Sequence, residues 1–410
     1  MTLNLEEGTT GLSPLAAIKK NLKGAPKAAT WSALFSGILI VFISTSGPIV
    51  ILFQAAEAGK LSQSYVNSWL FAVLLGSGVF GLILTLRYGM PIIGSWASTT
   101  TALLVTGLVE HDYSEVIGAY FLVSIILIII GVTGIFDRIM SAIPHSIIMA
   151  MLGGTLFSFG LKIFYFTKLN PTIGLGMLLI FFVGRRLKWR APVFGSLIVG
   201  LVISVMQSKL TNPHLKAELV IPVWVNPTFS VGAIFTLVIP FVLMVMTTQN
   251  ATGISLLKTA NYRPPINQIV TTGGFLSLLG AGFGGAGVNL SAMTAIIAIN
   301  PEADPNPKTR YFAGISCAIT YIIAGLFAGV FSTLYGSFPA DLTAILAGLA
   351  LLPVISHSIA EAVAVPEFRD AAIVTFLVTV SGISGWGIGA SFWGLIAGLL
   401  IHWLTQIKKN

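Results

Sequence analysis

Between Trp31 and Gln406 the chain is a succession of long uncharged apolar runs, and this limits it more than any single motif does. A run of about 20 apolar residues is what one bilayer crossing needs. Inside hydrocarbon the backbone has to satisfy its own hydrogen bonds, which leaves helices or closed barrels. A barrel would show alternating segments of about ten residues, and these runs do not alternate. Only 9% of the 410 residues are charged and 55% are hydrophobic, against roughly a quarter charged in a soluble protein. The chain reads as an all-α polytopic membrane protein.

Fourteen spans are expected, at about 31–56, 65–86, 90–107, 115–136, 143–164, 171–184, 191–207, 231–256, 266–283, 287–300, 311–334, 338–355, 370–384 and 387–406. Those at 171–184, 287–300 and 370–384 are too short to cross alone, so they read as half-helices or pieces of a broken segment. Residues 1–30, with Lys19, Lys20, Lys23 and Lys27, read as a polar cytoplasmic segment with no cleavable signal peptide. With that end cytoplasmic, 17 of the 22 basic residues fall inside: the four lysines, Arg87, Arg138, Arg185, Arg186, Lys188, Arg190, Lys258, Arg263, Lys308, Arg310, Arg369, Lys408 and Lys409. Lys60, Lys162, Lys168, Lys209 and Lys216 fall outside. This asymmetry fits fourteen spans with both ends cytoplasmic. It also accounts for the net charge of +8 without nucleic acid. The lone Cys317 excludes an internal disulfide framework and a cysteine metal cluster.

The two halves resemble each other. "IPHSIIMAMLGG" (143–154) lies on "FPADLTAILAGL" (338–349), pairing Pro144 with Pro339 and Gly153 with Gly348. "FGSLIVGL" (194–201) lies on "WGLIAGL" (393–399) with one gap, and "GMPIIGSWASTTTALL" (89–104) lies on "GFGGAGVNLSAMTAII" (282–297). Seven spans per half would put the second half in the membrane upside down, as in many secondary transporters, whose sites lie at the midplane where broken helices meet. The expected division is a first repeat at 31–207, a linker at 208–230 and a second repeat at 231–406.

The glycine-rich stretch "GFGGAGVNLSA" permits a turn or extended backbone, with a half-helix expected to start near Asn289. Its partner follows "PIIGS", near Ser95 to Ser98. Two helix N-termini aimed at one cavity would hold an anion without arginine. The plainer alternative is that these glycines only allow close helix packing. The candidate substrate contacts are Gly94, Ser95, Trp96, Ala97 and Ser98 in the first half, and Gly287, Asn289, Leu290 and Ser291 in the second. Mid-span Ser44 and Thr45, and Thr248, Gln249 and Asn250 of "TTQNATG", join them. Amides are costly in lipid and should face inward, whereas hydroxyls often only satisfy their own helix. Trp96, Phe283, Met244 and Met246 are candidate apolar walls for a ring-shaped substrate.

Asp341, at a span start, reads as a carboxylate favoured by the helix dipole. With His145 at the matching place in the first half, it is a candidate for ion coupling. Glu302, Asp304 and Arg310 read as a loop cluster, and Glu361 and Glu367 as solvated loop charges. No acidic residue lies at the middle of a span. "GAGFGGAG" lacks the following Lys-Ser/Thr of a phosphate loop. No zinc spacing and no Ser–His–Asp arrangement stand out, so neither an enzyme nor a bound cofactor is expected.

With "TTQNATG", "GGAGVNLSAMTAII" and "GMPIIGSWAST" in one layout, the chain from about residue 30 resembles the benzoate–proton symporter family, whose architecture is similar to that of uracil/xanthine permeases and sulfate-type anion transporters. The resemblance implies a core domain from 31–136 and 231–334 and a gate domain from 143–207 and 338–406. It further implies short strands at the breaks of spans 3 and 10 that pair across the site. It implies import of benzoate or a related aromatic carboxylate with protons, in a bacterial inner membrane. Nucleobase permeases carry an acidic residue where this chain has Gln249 and Asn250, a departure that suits an anionic substrate. A permease for another small anion or a nucleobase, or an anion channel, stays open as an alternative. The expected partners are the carboxylate, protons and membrane lipid, and a homodimer is one assembly that the analogy with related folds allows.

Overall fold

The computed structural model describes residues 13–406 apart from 47, 137, 139–143, 190, 191, 211–217, 293, 384 and 386–388. In chain order the elements are α1 (Pro14–Ala28), α2 (Trp31–Ser46), α3 (Pro48–Ala58), α4 (Gln63–Tyr88), β1 (Gly94–Trp96), α5 (Ser98–Glu110), α6 (Tyr113–Thr133), α7 (His145–Leu169), α8 (Pro171–Arg186) and α9 (Pro192–Met206). The second half holds α10 (Val231–Thr259), α11 (Ile266–Ala281), β2 (Val288–Leu290), α12 (Ala295–Ile299), α13 (Tyr311–Leu326), α14 (Ala328–Gly336), α15 (Ala340–Ala364), α16 (Arg369–Ser381) and α17 (Ala390–Gln406).

This is a multi-pass helical membrane protein. Among the described residues, six helices are long and apolar enough to cross a bilayer alone, and α13 with α14, bent by 62°, adds a seventh. The rest fall short for a simple reason. A helix of 13 to 17 residues, such as α16 or α17, spans only about 20–25 Å of a hydrocarbon layer about 30 Å thick.

Local sequence sets several boundaries. Asp112 and Glu115 form a capping box that opens α6, and Asn170 caps α8 ahead of Pro171. The segment 1–30 is not merely polar tail, because α1 is a helix docked on the ends of α4 and α13. Glu361 likewise lies in α15 rather than in a loop, 3.9 Å from His145. The described part of the 208–230 linker runs extended across the opposite end from α1. There Val220 N donates to Leu326 O and Val225 N to Gly282 O, which satisfies carbonyls that helix ends leave open.

Close packing depends on small residues, as expected where lipid offers no hydrophobic drive between helices. At Gly348, where α15 crosses α7, a Cβ would stand 2.6 Å from Phe159 O. At Gly78 of α4 it would stand 2.7 Å from Ala318 O of α13. The buried apolar side chains fall into two large clusters. One is built from α2 to α6 with α10, α11 and α13. The other is built from α7, α8, α15, α16 and α17, with Val50 and Ile51 of α3 and Leu243 and Met244 of α10 packed into it.

The two strands pair antiparallel, with Gly94 opposite Leu290, Ser95 opposite Asn289 and Trp96 opposite Val288. Gly94 is required there, because a Cβ would come within 2.0 Å of Ser77 O on α4. Gly94→Ala is therefore expected to lower thermal stability by about 1–3 kcal/mol or to prevent folding. Gly336→Ala, where nothing lies within 4 Å, should leave the melting temperature nearly unchanged. Scanning fluorimetry of the two purified variants checks the contrast.

Candidate functional site

A cavity of about 1300 Å³ lies between the two clusters. Its walls come from α2 (Phe35, Leu39, Phe42), Ile51 of α3, Val193 of α9, and Leu351 and Val354 of α15. It reaches from Ser32, Asn300 and Glu302 at one end to the strand pair at the other. At that inner end it is lined by Ser44, Ser95, Trp96, Gln249, Ser291 and Thr294. The inner group is polar and carries neither a cation nor a carboxylate.

Each inner residue is held by backbone that the fold has already committed. Ser291 N extends the strand ladder by donating to Ile93 O at 2.8 Å, and Ser291 Oγ meets Thr294 Oγ1 at 2.7 Å. Gln249 and Asn250 lie in a π-helical stretch of α10, Val245–Ala251, a widened turn that recurs at functional sites. Asn250 Oδ1 accepts from Leu290 N at 3.1 Å, and Gln249 Oε1 accepts from Ala292 N at 3.4 Å. With its oxygen engaged, Gln249 keeps Nε2 as the donor half of the amide. Ser44 Oγ donates to Ile40 O at 2.6 Å and meets Tyr321 OH at 2.5 Å. The Trp96 ring sits edge-on to Tyr321 with centroids 6.3 Å apart, and its buried Nε1–H has no protein partner.

The candidate residues are thus sorted. Ser44, Ser95, Trp96, Gln249 and Ser291 line the cavity, whereas Thr45, Gly94, Ala97, Thr248, Asn250, Gly287, Asn289 and Leu290 do not. Thr45 Oγ1 bonds its own helix at Val41 O, 2.7 Å away. Thr248 bonds Met244 O and meets Thr99 Oγ1 at 3.5 Å. Gly287, at φ +74, turns the chain into β2, and Asn289 keeps a buried Oδ1 with no protein partner. Ser98 opens α5, and its side chain lies outside the described residues.

Three expectations are corrected. No helix starts at Asn289: residues 288–290 are strand, because they complete the ladder with β1, and the helix begins only at Ala295 and lasts five residues. Of the two helix N-termini expected at the cavity, only that of the 13-residue α5 is long enough to carry a useful dipole. Ala97 precedes it with no side-chain cap. Phe283, Met244 and Met246 are not cavity walls. Phe283 packs on Trp224, centroids 5.3 Å apart, and the two methionines are fully buried in the two clusters. Asp341 and His145, the coupling candidates, do not line the cavity and sit at opposite ends of the packed α7 and α15. Asp341 accepts there from Asn170 Nδ2 at 2.6 Å and Lys209 Nζ at 3.2 Å, which ties three helix ends together.

Tyr321 and Thr294 were not among the sequence candidates. Tyr321 had a signal in the sequence, since a phenol within the apolar span 311–334 has to find a hydrogen-bond partner. Ser44, Gln249 and Trp96 could be read as polar groups in mid-span, but their convergence needed the strand pair.

Membership of a transport family, shown by the matches that follow, makes this a membrane transport protein and not an enzyme. The chain superposes on the transmembrane domain of a cyanobacterial bicarbonate transporter, BicA, with a TM-score of 0.58 at 14% identity, covering 91% of this chain and 96% of that one. It superposes on the murine Slc26a9 anion transporter in its inward-facing state with a TM-score of 0.64 at 13% identity, covering 99% and 74%. The model of the benzoate membrane transport protein family (BenE) matches residues 27–404, and the chain belongs to that family. It is 35% identical over 378 residues to the benzoate membrane transport protein of Acinetobacter baylyi, covering 92% of this chain and 96% of that one. It is 36% identical over 365 residues to the inner membrane protein YdcO of Escherichia coli, covering 89% and 93%.

Removing the Asn250 side chain would leave Leu290 N–H buried without a partner. Asn250→Ala is expected to cost about 1–3 kcal/mol of stability. Thr45→Ala, which frees only a carbonyl already bonded within its helix, should cost about 0.5 kcal/mol or less. Denaturation of both variants in the same detergent checks the order.

Proposed function

We propose that this chain is a secondary active carrier that moves benzoate, or a related aromatic carboxylate, together with protons by alternating access. The observation that carries the reading is the inner end of the cavity. A flat apolar ring fits against Phe42, Ile51, Leu351 and Val354. A carboxylate can then meet Gln249 Nε2 and the Ser291 and Thr294 hydroxyls. Neutral dipoles stabilise an anion without the desolvation cost of burying a cation. The relative at 35% identity is named as a benzoate membrane transport protein, and structural neighbours are named as bicarbonate and anion transporters, which supports an anionic substrate.

The proposal includes fourteen segments in two inverted repeats, both termini cytoplasmic, with the two apolar clusters moving as core and gate. Its support is pairwise. α4 packs on α13 and α6 on α11, contacts that exchange when 31–207 is laid on 231–406. β1 and β2, laid on each other by the same operation, pair with one another. Because the cavity's inner end holds no carboxylate, the proton travels on the substrate, which crosses as the neutral acid or with a proton beside its carboxylate.

Uptake of labelled benzoate by proteoliposomes tests this. An inward-directed acid gradient should raise the initial rate, and a protonophore should abolish that gain. Excess unlabelled benzoate should compete where uracil and sulfate do not. Saturable uptake that ignores the gradient would rule out proton coupling. Competition by uracil or sulfate would move the substrate class. Gln249→Ala is expected to weaken benzoate affinity about tenfold while keeping the melting temperature within a few degrees.

A further inference from the structure

The amphipathic helix α1 has a structure that the transport reading does not use. One face docks on the protein: Ile18, Ala25 and Ala28 pack with Leu86, Tyr311 and Ile315. Asn21 fixes its position, donating through Nδ2 to Leu86 O at 2.7 Å and accepting at its carbonyl from Tyr311 OH at 3.1 Å. At 3.6 residues per turn the rest of the helix divides into two further stripes. Leu15 and Leu22, one heptad apart, are 74% and 56% exposed. Lys19, Lys23 and Lys27, at four-residue spacing, are all exposed on the far side from the docked face, and α1 contains no acidic residue. The helix sits where α4 ends and α13 begins. Just beyond α1, Trp31 and Phe35 of α2 are 75% and 61% exposed and stack on each other.

Three stripes of this kind fit one environment: protein on one side, hydrocarbon under the leucines, anionic headgroups around the lysines. We propose that α1 is a binding surface for anionic phospholipid. It lies in the headgroup layer and fixes the N-terminal end of α2, which carries Ser32 and Phe35 of the cavity mouth. Charge complementarity selects the occupant. A neutral bilayer would accept the leucines alone, and a soluble acidic partner would leave Leu15 and Leu22 in water.

The test is hydrogen exchange of the full chain in nanodiscs holding one copy, made of phosphatidylcholine alone or of phosphatidylcholine and phosphatidylglycerol in equal parts. In the anionic discs the amides of 14–28 are expected to exchange at least about fivefold more slowly, the factor one lysine at an anionic surface contributes, and high salt should erase the difference. The variant K19Q/K23Q/K27Q should exchange alike in both discs, at the wild-type rate in phosphatidylcholine. L15S/L22S should lose protection in both. Equal wild-type rates in the two compositions would overturn the proposal. So would a triple variant that keeps the difference, or one already deprotected in phosphatidylcholine, since the lysines would then hold α1 to the protein itself. Protection that needs two copies per disc would assign the surface to a second copy of the chain.

Discussion

The structure turns on backbone that is neither helical nor exposed. In hydrocarbon an unpaired N–H or C=O costs several kcal/mol, so a chain that interrupts two helices must pair the interruptions. Here they pair with each other. Three residues of β1 meet three of β2, and Ser291 N reaches back to Ile93 O. Gly94 lets the ladder press against α4, and Asn250 and Gln249 take up the N–H groups of Leu290 and Ala292. The cavity's inner end is the surface of that ladder.

From this follows the chemistry on offer. Among the described residues the inner end is lined by amide, hydroxyl and indole dipoles rather than by side chains that would repel or trap an ion. Such dipoles are oriented before a ligand arrives, so little reorganisation opposes binding. Acidic and basic side chains sit elsewhere, at helix ends: Asp341 with Asn170 and Lys209, His145 near Glu361, Arg310 on Asp304 O and Ile299 O. They secure the frame and stay clear of the cavity's inner end. In the proposed carrier that separation lets the two apolar clusters move past each other without breaking buried ion pairs, whose loss costs about 3–5 kcal/mol.

Close helix contacts and the wide turns of α10 serve the same end. Gly78 and Gly348 let neighbouring backbones approach within van der Waals range, which gives rigid bodies without a hydrophobic drive. The π-helical stretch at Val245–Ala251 rotates Gln249 and Asn250 out of regular register, so that one amide reaches β2 and its neighbour both braces Ala292 and lines the cavity.

Much of this was legible in the chain itself. Apolar runs determined a helical membrane protein because hydrocarbon tolerates little else. The glycines around 282–287 and the polar residues of 44–45, 95–98 and 247–250 marked the breaks and the inward-facing segments, since each is expensive against lipid. What the sequence could not decide was which of those polar groups turn inward to a ligand and which turn to the backbone. Thr45 and Thr248 satisfy their own helices, Asn250 serves β2, and Ser44 meets a tyrosine 277 residues away. A helix start expected at Asn289 became a strand because β1 pairs with it across the fold. Hydrophobicity and local turn chemistry act over a few residues and are readable in order along the chain. Pairing across the membrane depends on which distant segments share a plane, and only the tertiary structure sets that.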